Sequence, residues 1–563
     1  MKVTPAWRQP IDRPSRRTHT FSVFPLSRVS TVLALAWAAT AVSAQHEPQP
    51  PTISVSTRLV EVGVIVRDKN GPVADLTKDD FVVLDRGKPQ TISLFSVESG
   101  KSGDQPVQLL PQNTFSDLPQ YGTSPPRSLT IVLLDNLNTF YGSAPEPFES
   151  RPHWFEDLAL TNAKSHLIEF IKQLDPRDRV ALYGLRDSLH ILCDFTSDRI
   201  QLLAILKKYD TTSMTNRQTV ESGAMHIPDQ PDPHLDAAVN QGNGKFAGIA
   251  EQGRAGITMA ALQSIAAHVA NLPGRKNLVW LTGILPLSSA AMASILSPAQ
   301  IAVYPVDGRG LLPRASMESL EGVMDADAVG RGDFALTESP QPLGIDTMET
   351  LGEQTGGEAL VNSNDITGAI RKAVEDSMVT YTLGFYIGRA AIDGKFHELK
   401  VQVKRQGLTV RYPKAYLALE DIPATKDQNR KGLAIAVLSP IESSAIPVQV
   451  KVVRVDKPSP HSLSVFGSID IHNLRLTHDG GLHKGALDVV TIEQDESGKI
   501  LAQSGITLQL QFSDKQYADY LATGFRFHKF VQPQADATTL RMLVEDHATA
   551  EVGSLIIPLS QVK

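Results

Sequence analysis

The sequence contains a single cysteine, Cys193, in 563 residues. One cysteine forms no internal disulfide, so packed apolar cores have to stabilise the fold. Cys193 ends the apolar run Leu189–Cys193, which predicts a buried strand thiol and not a reactive nucleophile. The hydrophobic content of 42% is that of a folded protein. The chain is too long for one core, and we expect roughly two to four domains.

Long apolar runs are scarce as well. One lies near the N-terminus, at Val32–Val42, after a segment rich in arginine. It is followed by Ser43 and Ala44, and this pattern is typical of a signal peptide cleaved before Gln45. We therefore expect residues 1–44 to be removed and the protein to be exported, either to the periplasm or out of the cell. The alternative is an uncleaved anchor, although the run is shorter than the about 20 residues of a transmembrane helix.

Acidic residues outnumber basic ones, 61 to 54, and removal of this segment increases the excess. Residues 1–44 hold six basic residues and one acidic residue, so the formal net charge changes from −7 to −12. An acidic protein repels the phosphate backbone, and a nucleic-acid partner is therefore not expected. No segment of the mature chain is predicted to span a membrane.

Common catalytic motifs are absent from the sequence. It has no Gly-x-Ser-x-Gly elbow, no His-Glu-x-x-His metal motif and no phosphate-binding glycine loop followed by Lys-Ser or Lys-Thr. These absences favour a binding role, and we predict a protein that is not an enzyme.

Hydrophobic periodicity divides the chain into segments. Alternating residues predict a β-rich module with a linker at 45–126 and a β hairpin at 387–424, and short strands predict a β-sandwich at 425–563. Between them, 127–386 alternates continuous apolar runs, such as Leu129–Leu134, with helical patterns. The predicted fold class is α/β, with a doubly wound, mostly parallel sheet.

Several short motifs occur in a fixed order between Ile53 and Tyr416. They are Leu76–Phe81, Leu133–Thr139, Pro273–Leu278, Tyr304–Asp307, Thr355–Gly357 with Asn364–Asp365, Tyr381–Gly384 and Phe396–His397. In this order they resemble a family of exported bacterial proteins, abundant in acidobacteria, with a domain related to the von Willebrand factor type A domain. The resemblance implies a type A-like fold for the central domain. It also implies that the β segments before Ser128 and after Met378 lie together.

The resemblance further implies a divalent metal site at the carboxyl ends of the strands, where Mg²⁺ or Ca²⁺ is held by oxygen ligands. Asp135 and Thr139 keep two positions of the usual Asp-x-Ser-x-Ser loop, and Thr211 or Thr212 could supply the threonine. Leu137 and Gly283 occupy positions where that pattern has a hydroxyl and a carboxylate. We therefore expect a degenerate site with weak Mg²⁺ or Ca²⁺ binding or none.

Two further motifs have competing interpretations. One insertion carries imidazole and carboxylate groups that could ligate Zn²⁺ or Mn²⁺, namely His226, Asp229, Asp232, His234 and Asp236. The prolines within it favour an extended, solvated loop instead. Arg331, Gly332 and Asp333 form a tripeptide that some adhesion receptors bind, or belong to an exposed charged loop.

Three hypotheses for function follow. The first is an exported, non-catalytic protein that binds a protein or cell-surface ligand through the strand-end edge, which comprises Asp135, Asn138, Thr139, Thr282 and Asp307. Carboxyl ends of strands form the natural crevice of such sheets. The second is a metal-dependent hydrolase that uses the His226–Asp236 insertion. The third is a structural scaffold of an envelope assembly.

Overall fold

A computed structural model describes most of the chain after residue 56. The described residues are 57–99, 110–118, 128–138, 154–211, 253–272, 275–308, 344–363, 365–388, 391–418, 423–457 and 462–563. All of them belong to one compact unit, Val55–Lys563. The predicted signal peptide at 1–44 lies outside the described residues.

The N-terminal part consists of short strands. These are β1 (Thr57–Asp68), β2 (Gly71–Pro72), β3 (Phe81–Asp85), β4 (Lys88–Gln90), β5 (Ile92–Ser99) and β6 (Thr114–Ser116). In β1, Val60, Val62 and Val64 are buried while Glu61 is exposed, as the two-residue period of a strand requires. Asp68 Oδ1 accepts hydrogen bonds from the amides of Asn70 and Gly71, which closes the turn into β2.

The central part alternates strands with helices. Its elements are β7 (Ser128–Asp135), α1 (Trp154–Lys172), β8 (Asp178–Leu185), β9 (Leu189–Thr196), α2 (Arg199–Lys208), α3 (253–269), β10 (Lys276–Thr282), α4 (Ser289–Leu296), β11 (Ile301–Asp307), α5 (Ile345–Thr355) and α6 (Ile366–Asp376). The strands form one sheet in the order β11-β10-β7-β8-β9. Pairing is parallel except between β8 and β9.

Both faces of this sheet are covered by helices, which explains the continuous apolar runs. On one face, Ile131 and Leu133 pack in a core with Leu262 of α3 and Met292 of α4. On the other face, Val132 and Leu134 pack in a second core, whose helical members include residues of α1, α2 and α6. Cys193 is 9% exposed and belongs to the second core, so the expected buried strand thiol is confirmed.

The chain then returns to the N-terminal strands. It forms β12 (Val379–Gly388), β13 (Phe396–Val403), β14 (Thr409–Arg411) and β15 (Ala415–Leu417). One antiparallel sheet has the order β14-β1-β12-β5 and another has β15-β13-β3-β4, and residues of both sheets build one apolar core. The expectation that the two β segments lie together is confirmed by this pairing.

The C-terminal part forms two antiparallel sheets. Its elements are α7 (Lys426–Leu438), β16 (Val448–Val455), β17 (Ser462–Ile469), β18 (Thr477–Asp479), β19 (Leu482–Gln494), β20 (Ile500–Ser513), α8 (Asp514–Thr523), β21 (Phe525–Val531), β22 (Thr539–Asp546) and β23 (Val552–Pro558). One sheet has the order β21-β17-β16-β6. The other is β18-β19-β22-β23, with β20 on β19, and both contribute to one core.

The predicted fold class, α/β with a doubly wound, mostly parallel sheet of von Willebrand factor type A-like character, is wrong. The described chain is mostly β, and four of its five sheets are antiparallel throughout. Parallel pairing among the described strands is confined to β7, β8, β10 and β11. The prediction failed because the strand and helix alternation of one segment was taken to define the class, whereas most strands pair within the two flanking β regions.

Candidate functional site

The predicted strand-end edge is organised around the carboxylate of Asp135, the last residue of β7. Its Oδ1 accepts hydrogen bonds from the amides of Leu137 and Asn138 at 3.0 and 2.9 Å. Its Oδ2 accepts bonds from Trp280 Nε1 at 2.9 Å and from Thr282 Oγ1 at 3.0 Å, and Asn138 Nδ2 lies within 3.3 Å of both oxygens. Five donor groups therefore surround a side chain that is fully buried.

Backbone hydrogen bonds hold the loops of this edge together. The amides of Asn136 and Leu137 donate to Leu185 O at the end of β8. The amides of Gly283 and Ile284, which follow β10, donate to Asn138 O. The loop after β7 is thus fixed against the ends of both neighbouring strands, and this arrangement brings Asp135, Asn138 and Thr282 together.

Asn138 has one polar atom without a partner. Its Nδ2 donates to Asp135 and also to Thr258 Oγ1 of α3 at 3.0 Å. Its Oδ1 is buried and has no hydrogen-bond partner among the described residues. An unpaired buried acceptor is costly and usually has a reason.

The other predicted members of the edge are placed differently. Asp307 ends β11 and is 1% exposed, and its amide donates to Leu360 O. Thr211 Oγ1 lies 2.9 Å from Thr161 Oγ1 of α1. It is not among the described donors that bond the Asp135 carboxylate. Thr139 and Thr212 lie outside the described residues.

The contacts of Asp135 do not suit a resident cation. A carboxylate offers about four lone-pair positions, and five donors already approach this one. Each donor also points a partly positive hydrogen at a carboxylate oxygen that a cation would need. Burial raises the pKa of the Asp135 carboxyl, although its hydrogen bonds oppose that shift. The described residues therefore fit a structural carboxylate that ties loops together and do not fit a Mg²⁺ or Ca²⁺ ligand set.

Two other sequence hypotheses concern residues that are not described. The His226–Asp236 insertion and the Arg331–Asp333 tripeptide both lie outside the described ranges. Metal binding by His226, Asp229, Asp232, His234 and Asp236 stays a prediction.

The structure presents a second candidate site, which the sequence analysis missed. Phe466 of β17 pairs across the strands with His528 of β21, and Ser464 pairs with Phe530. The Phe466 and His528 rings stack at 4.6 Å with an interplanar angle of 23°, and Phe530 meets His528 edge-on, also at 4.6 Å. Phe466 is 50% exposed and Phe530 is 52% exposed. We call this outer surface of β16, β17 and β21 the aromatic face.

Basic residues border the aromatic face. Lys451 of β16 pairs with Phe466, and Arg526 of β21 pairs with Ser468, so both lie on the same side of the sheet as the rings. Both residues are exposed. None of the outward positions paired along β16, β17 and β21 carries a carboxylate; they are Gln449, Lys451, Val453, Val455, Ser462, Ser464, Phe466, Ser468, Arg526, His528 and Phe530.

A local signal for this face was present in the sequence. The segment Phe525–Phe530 holds three phenylalanines in six residues. Phe525 and Phe527 face the core, whereas Phe530 breaks their alternation and lies outside. That break in the two-residue period marks an aromatic residue on the solvent side.

Comparisons with known proteins provide no assignment. No protein-family model matches the chain, and no curated protein matches it. Similar solved structures include an aerotolerance-related membrane protein of Bacteroides fragilis (TM-score 0.23, 16% identity, 44% of this chain and 98% of that one). BatB of Bacteroides thetaiotaomicron has a TM-score of 0.23 and 13% identity over 44% of this chain and 96% of that one. Proximal thread matrix protein 1 of the mussel byssus has a TM-score of 0.26 and 7% identity over 45% of this chain and 49% of that one. With TM-scores below 0.5, these similarities carry no argument about function.

Membrane insertion through a helix has no support in the described part of the chain. None of its helices combines the length and the apolar character needed to cross a bilayer.

Proposed function

We propose that the chain is an exported, non-catalytic binding protein, and that its aromatic face holds a protein partner with an acidic surface. The observation that carries this proposal is the exposure of Phe466 and Phe530, each about half exposed, on a well-paired sheet. Adjacent exposed aromatic rings on a soluble protein indicate an interaction surface.

The surrounding chemistry favours a protein partner. Aromatic residues and arginine are enriched in protein interfaces, and this face combines Phe466, Phe530 and Arg526. Lys451 and Arg526 supply positive charge without a carboxylate at the paired outward positions, so an acidic partner gains electrostatic complementarity. β21 is also an edge strand of its sheet among the described strands, and an edge strand can pair with an extended peptide segment.

The strand-end edge supports the non-catalytic part of the proposal. Five donors hold the Asp135 carboxylate, so it is not free to act as a general base. Thr282 Oγ1 lies 3.0 Å from that carboxylate and 2.9 Å from Ile284 O, and no described histidine contacts it. A hydroxyl without an adjacent base is a weak nucleophile.

Site-specific photocrosslinking tests the proposed face. A benzophenone side chain is placed at Phe466 in the full-length protein, produced in its own host, and the matched control carries it at Tyr386. Tyr386 is 55% exposed but lies on β12, in another sheet. We expect one dominant protein adduct from position 466 that disappears when Lys451 and Arg526 are replaced by glutamate, and none of that adduct from position 386.

Two outcomes would contradict the proposal. One is equal crosslinking at both positions, which would mean that the face has no specific partner. The other is Phe466-dependent retention on an acidic polysaccharide without a protein adduct, which would replace the protein partner with a glycan.

The strand-end edge stays a second candidate because of one observation, the unpaired buried Oδ1 of Asn138. A ligand that donates a hydrogen bond there would satisfy it. Replacing Asn138 by serine should then weaken binding of the captured partner while Phe466→Ala leaves that binding unchanged. The opposite pattern would assign the partner to the aromatic face.

Export is tested separately by N-terminal sequencing of the protein recovered from the host's periplasm and medium. We expect Gln45 as the first residue. A chain found only in membrane fractions with its N-terminal apolar run intact would be an anchored protein instead.

A further inference from the structure

Asp488, Glu545 and His547 bring three metal-ligating groups together on the C-terminal β-sheet. Asp488 of β19 lies directly opposite Glu545 of β22, so their side chains share a face. His547 follows β22, and its Nε2 lies 3.0 Å from Asp488 Oδ2. One potential ligand atom from each residue lies within 4.8 Å of the others.

The arrangement is unfavourable without a cation. Two carboxylates directly opposite each other on antiparallel strands repel. Glu545 is 1% exposed, and its Oε1 is buried without a hydrogen-bond partner in the part of the chain that the structure describes.

Asn429 of α7 contacts the backbone of one member of the cluster. Asn429 of α7 donates from Nδ2 to His547 O at 3.3 Å, and its own Oδ1 is buried without a partner. The cluster still has access to solvent, because the Asp488 and His547 side chains are 29% and 36% exposed. An ion could therefore enter and keep water ligands.

We infer that Asp488, Glu545 and His547 form a binding site for a divalent transition metal, with Zn²⁺ as the ion the donor set suits best. Zn²⁺ is bound in proteins by imidazole nitrogen and by carboxylate oxygen, both at about 2.0–2.2 Å. Ligands held at about 2.1 Å on one ion lie about 3.0–3.4 Å apart, and the Asp488 to His547 distance falls in that range. Zn²⁺ also binds such mixed ligands more tightly than Mn²⁺ does.

The site has a structural role. It joins β19, β22 and the turn after β22, and it neutralises the carboxylate pair on the face that α7 covers. In that face Leu543 of β22 and Ile492 of β19 pack with Ala436 of α7. Zn²⁺ bound at the cluster therefore stabilises the attachment of α7 to the sheet.

A second cluster in the described residues provides a matched control. His478 and His483 both reach Asp514 Oδ1, at 3.1 and 2.9 Å. The Asp514 side chain is 68% exposed, and no unpaired buried group faces this cluster. The cluster differs from the first by having no unpaired buried oxygen in the described residues, so Asp514→Asn tests whether an exposed cluster of histidine and carboxylate explains zinc uptake.

Zinc titration of the metal-free, full-length protein tests the site. Elemental analysis after dialysis should find one Zn²⁺ fewer per chain in Glu545→Gln than in the unchanged protein, and no such loss in Asp514→Asn. Saturating Zn²⁺ should raise the melting temperature of the unchanged protein by several degrees, as binding to the folded state alone requires. Glu545→Gln should lose most of that rise.

The glutamine variant also separates metal loss from misfolding. It removes a buried charge without changing the side-chain shape, so metal-free Glu545→Gln should melt at or above the temperature of the metal-free unchanged protein. A variant with this stability and one zinc fewer supports the site. Unchanged zinc content in both Glu545→Gln and His547→Gln would overturn it.

Discussion

The indole of Trp280 donates a hydrogen bond of 2.9 Å to the Asp135 carboxylate, and both side chains are fully buried. Trp280 lies in β10 and Asp135 ends β7, so this bond joins two neighbouring parallel strands through their side chains. It also takes up one of the carboxylate oxygens that a metal at this position would need. The position is therefore a structural polar centre in the described chain.

Asp135→Ala should destabilise the protein strongly. The change leaves Trp280 Nε1, Thr282 Oγ1 and loop amides buried without their acceptor. This should lower the free energy of unfolding by about 3–5 kcal/mol. Urea unfolding measures the loss. Asp198→Ala is the control, since it removes only the N-cap of α2 and should cost about 1 kcal/mol. Equal costs for the two variants would argue against a buried carboxylate centre.

Mg²⁺ and Ca²⁺ should show no binding that depends on Asp135. The donors around its carboxylate leave no oxygen for a cation, so isothermal titration should give the same result for the unchanged protein and for Asp135→Asn. Asp488→Asn is included to remove any contribution from the cluster on β19. Micromolar binding that is lost only in Asp135→Asn would disprove the structural assignment of this carboxylate.

The aromatic face should contribute little to stability. Phe530→Ala removes a ring that is 52% exposed, and its free energy of unfolding should change by less than about 1 kcal/mol. Phe512→Ala removes a ring of the same kind that is 5% exposed, and it should cost about 3–5 kcal/mol. Thermal or urea unfolding compares the two. A large cost at Phe530 would mean that the face serves folding and not recognition.

His268 should make stability depend on pH. Burial opposes its charge, but the Asp194 carboxylate and the Glu442 carbonyl outweigh burial and raise the pKa of His268 above 6.5. A raised folded-state pKa adds stability that is fully present below about pH 6.5 and is lost as pH rises through the folded-state value. His268→Gln should therefore lower the free energy of unfolding more near about pH 5.5 than near about pH 8.5.

The same comparison at His190 is the control for that experiment. His190 pairs with Asp187, but its side chain is 44% exposed, so solvent screens the pair. Its replacement by glutamine should change stability little at either pH. If His268→Gln lowers the free energy of unfolding equally at both pH values, His268 stabilises the fold through its shape and not through its charge.

Local sequence patterns were enough to locate many elements. The run Leu129–Leu134 predicted a strand buried on both faces, and the structure places it between two cores. Alternation in Val60, Val62 and Val64 predicted a half-buried strand. Leu137 and Gly283, where a metal-binding loop would have oxygen ligands, predict a degenerate site, and that prediction awaits the metal titration. Each of these features depends on neighbouring residues only, and the sequence displays such features directly.

Only the tertiary structure decided which strands pair and which side chains meet. The period of a strand reports its two faces but not its partner, so the predominance of antiparallel sheets was missed. β6 was taken for linker because its surroundings are rich in proline, serine and glutamine, yet it pairs with β16 more than 300 residues away. Asp488 and Glu545 are likewise far apart in sequence and meet because β19 and β22 are neighbours. Such sites depend on long-range pairing, which local composition and periodicity do not encode.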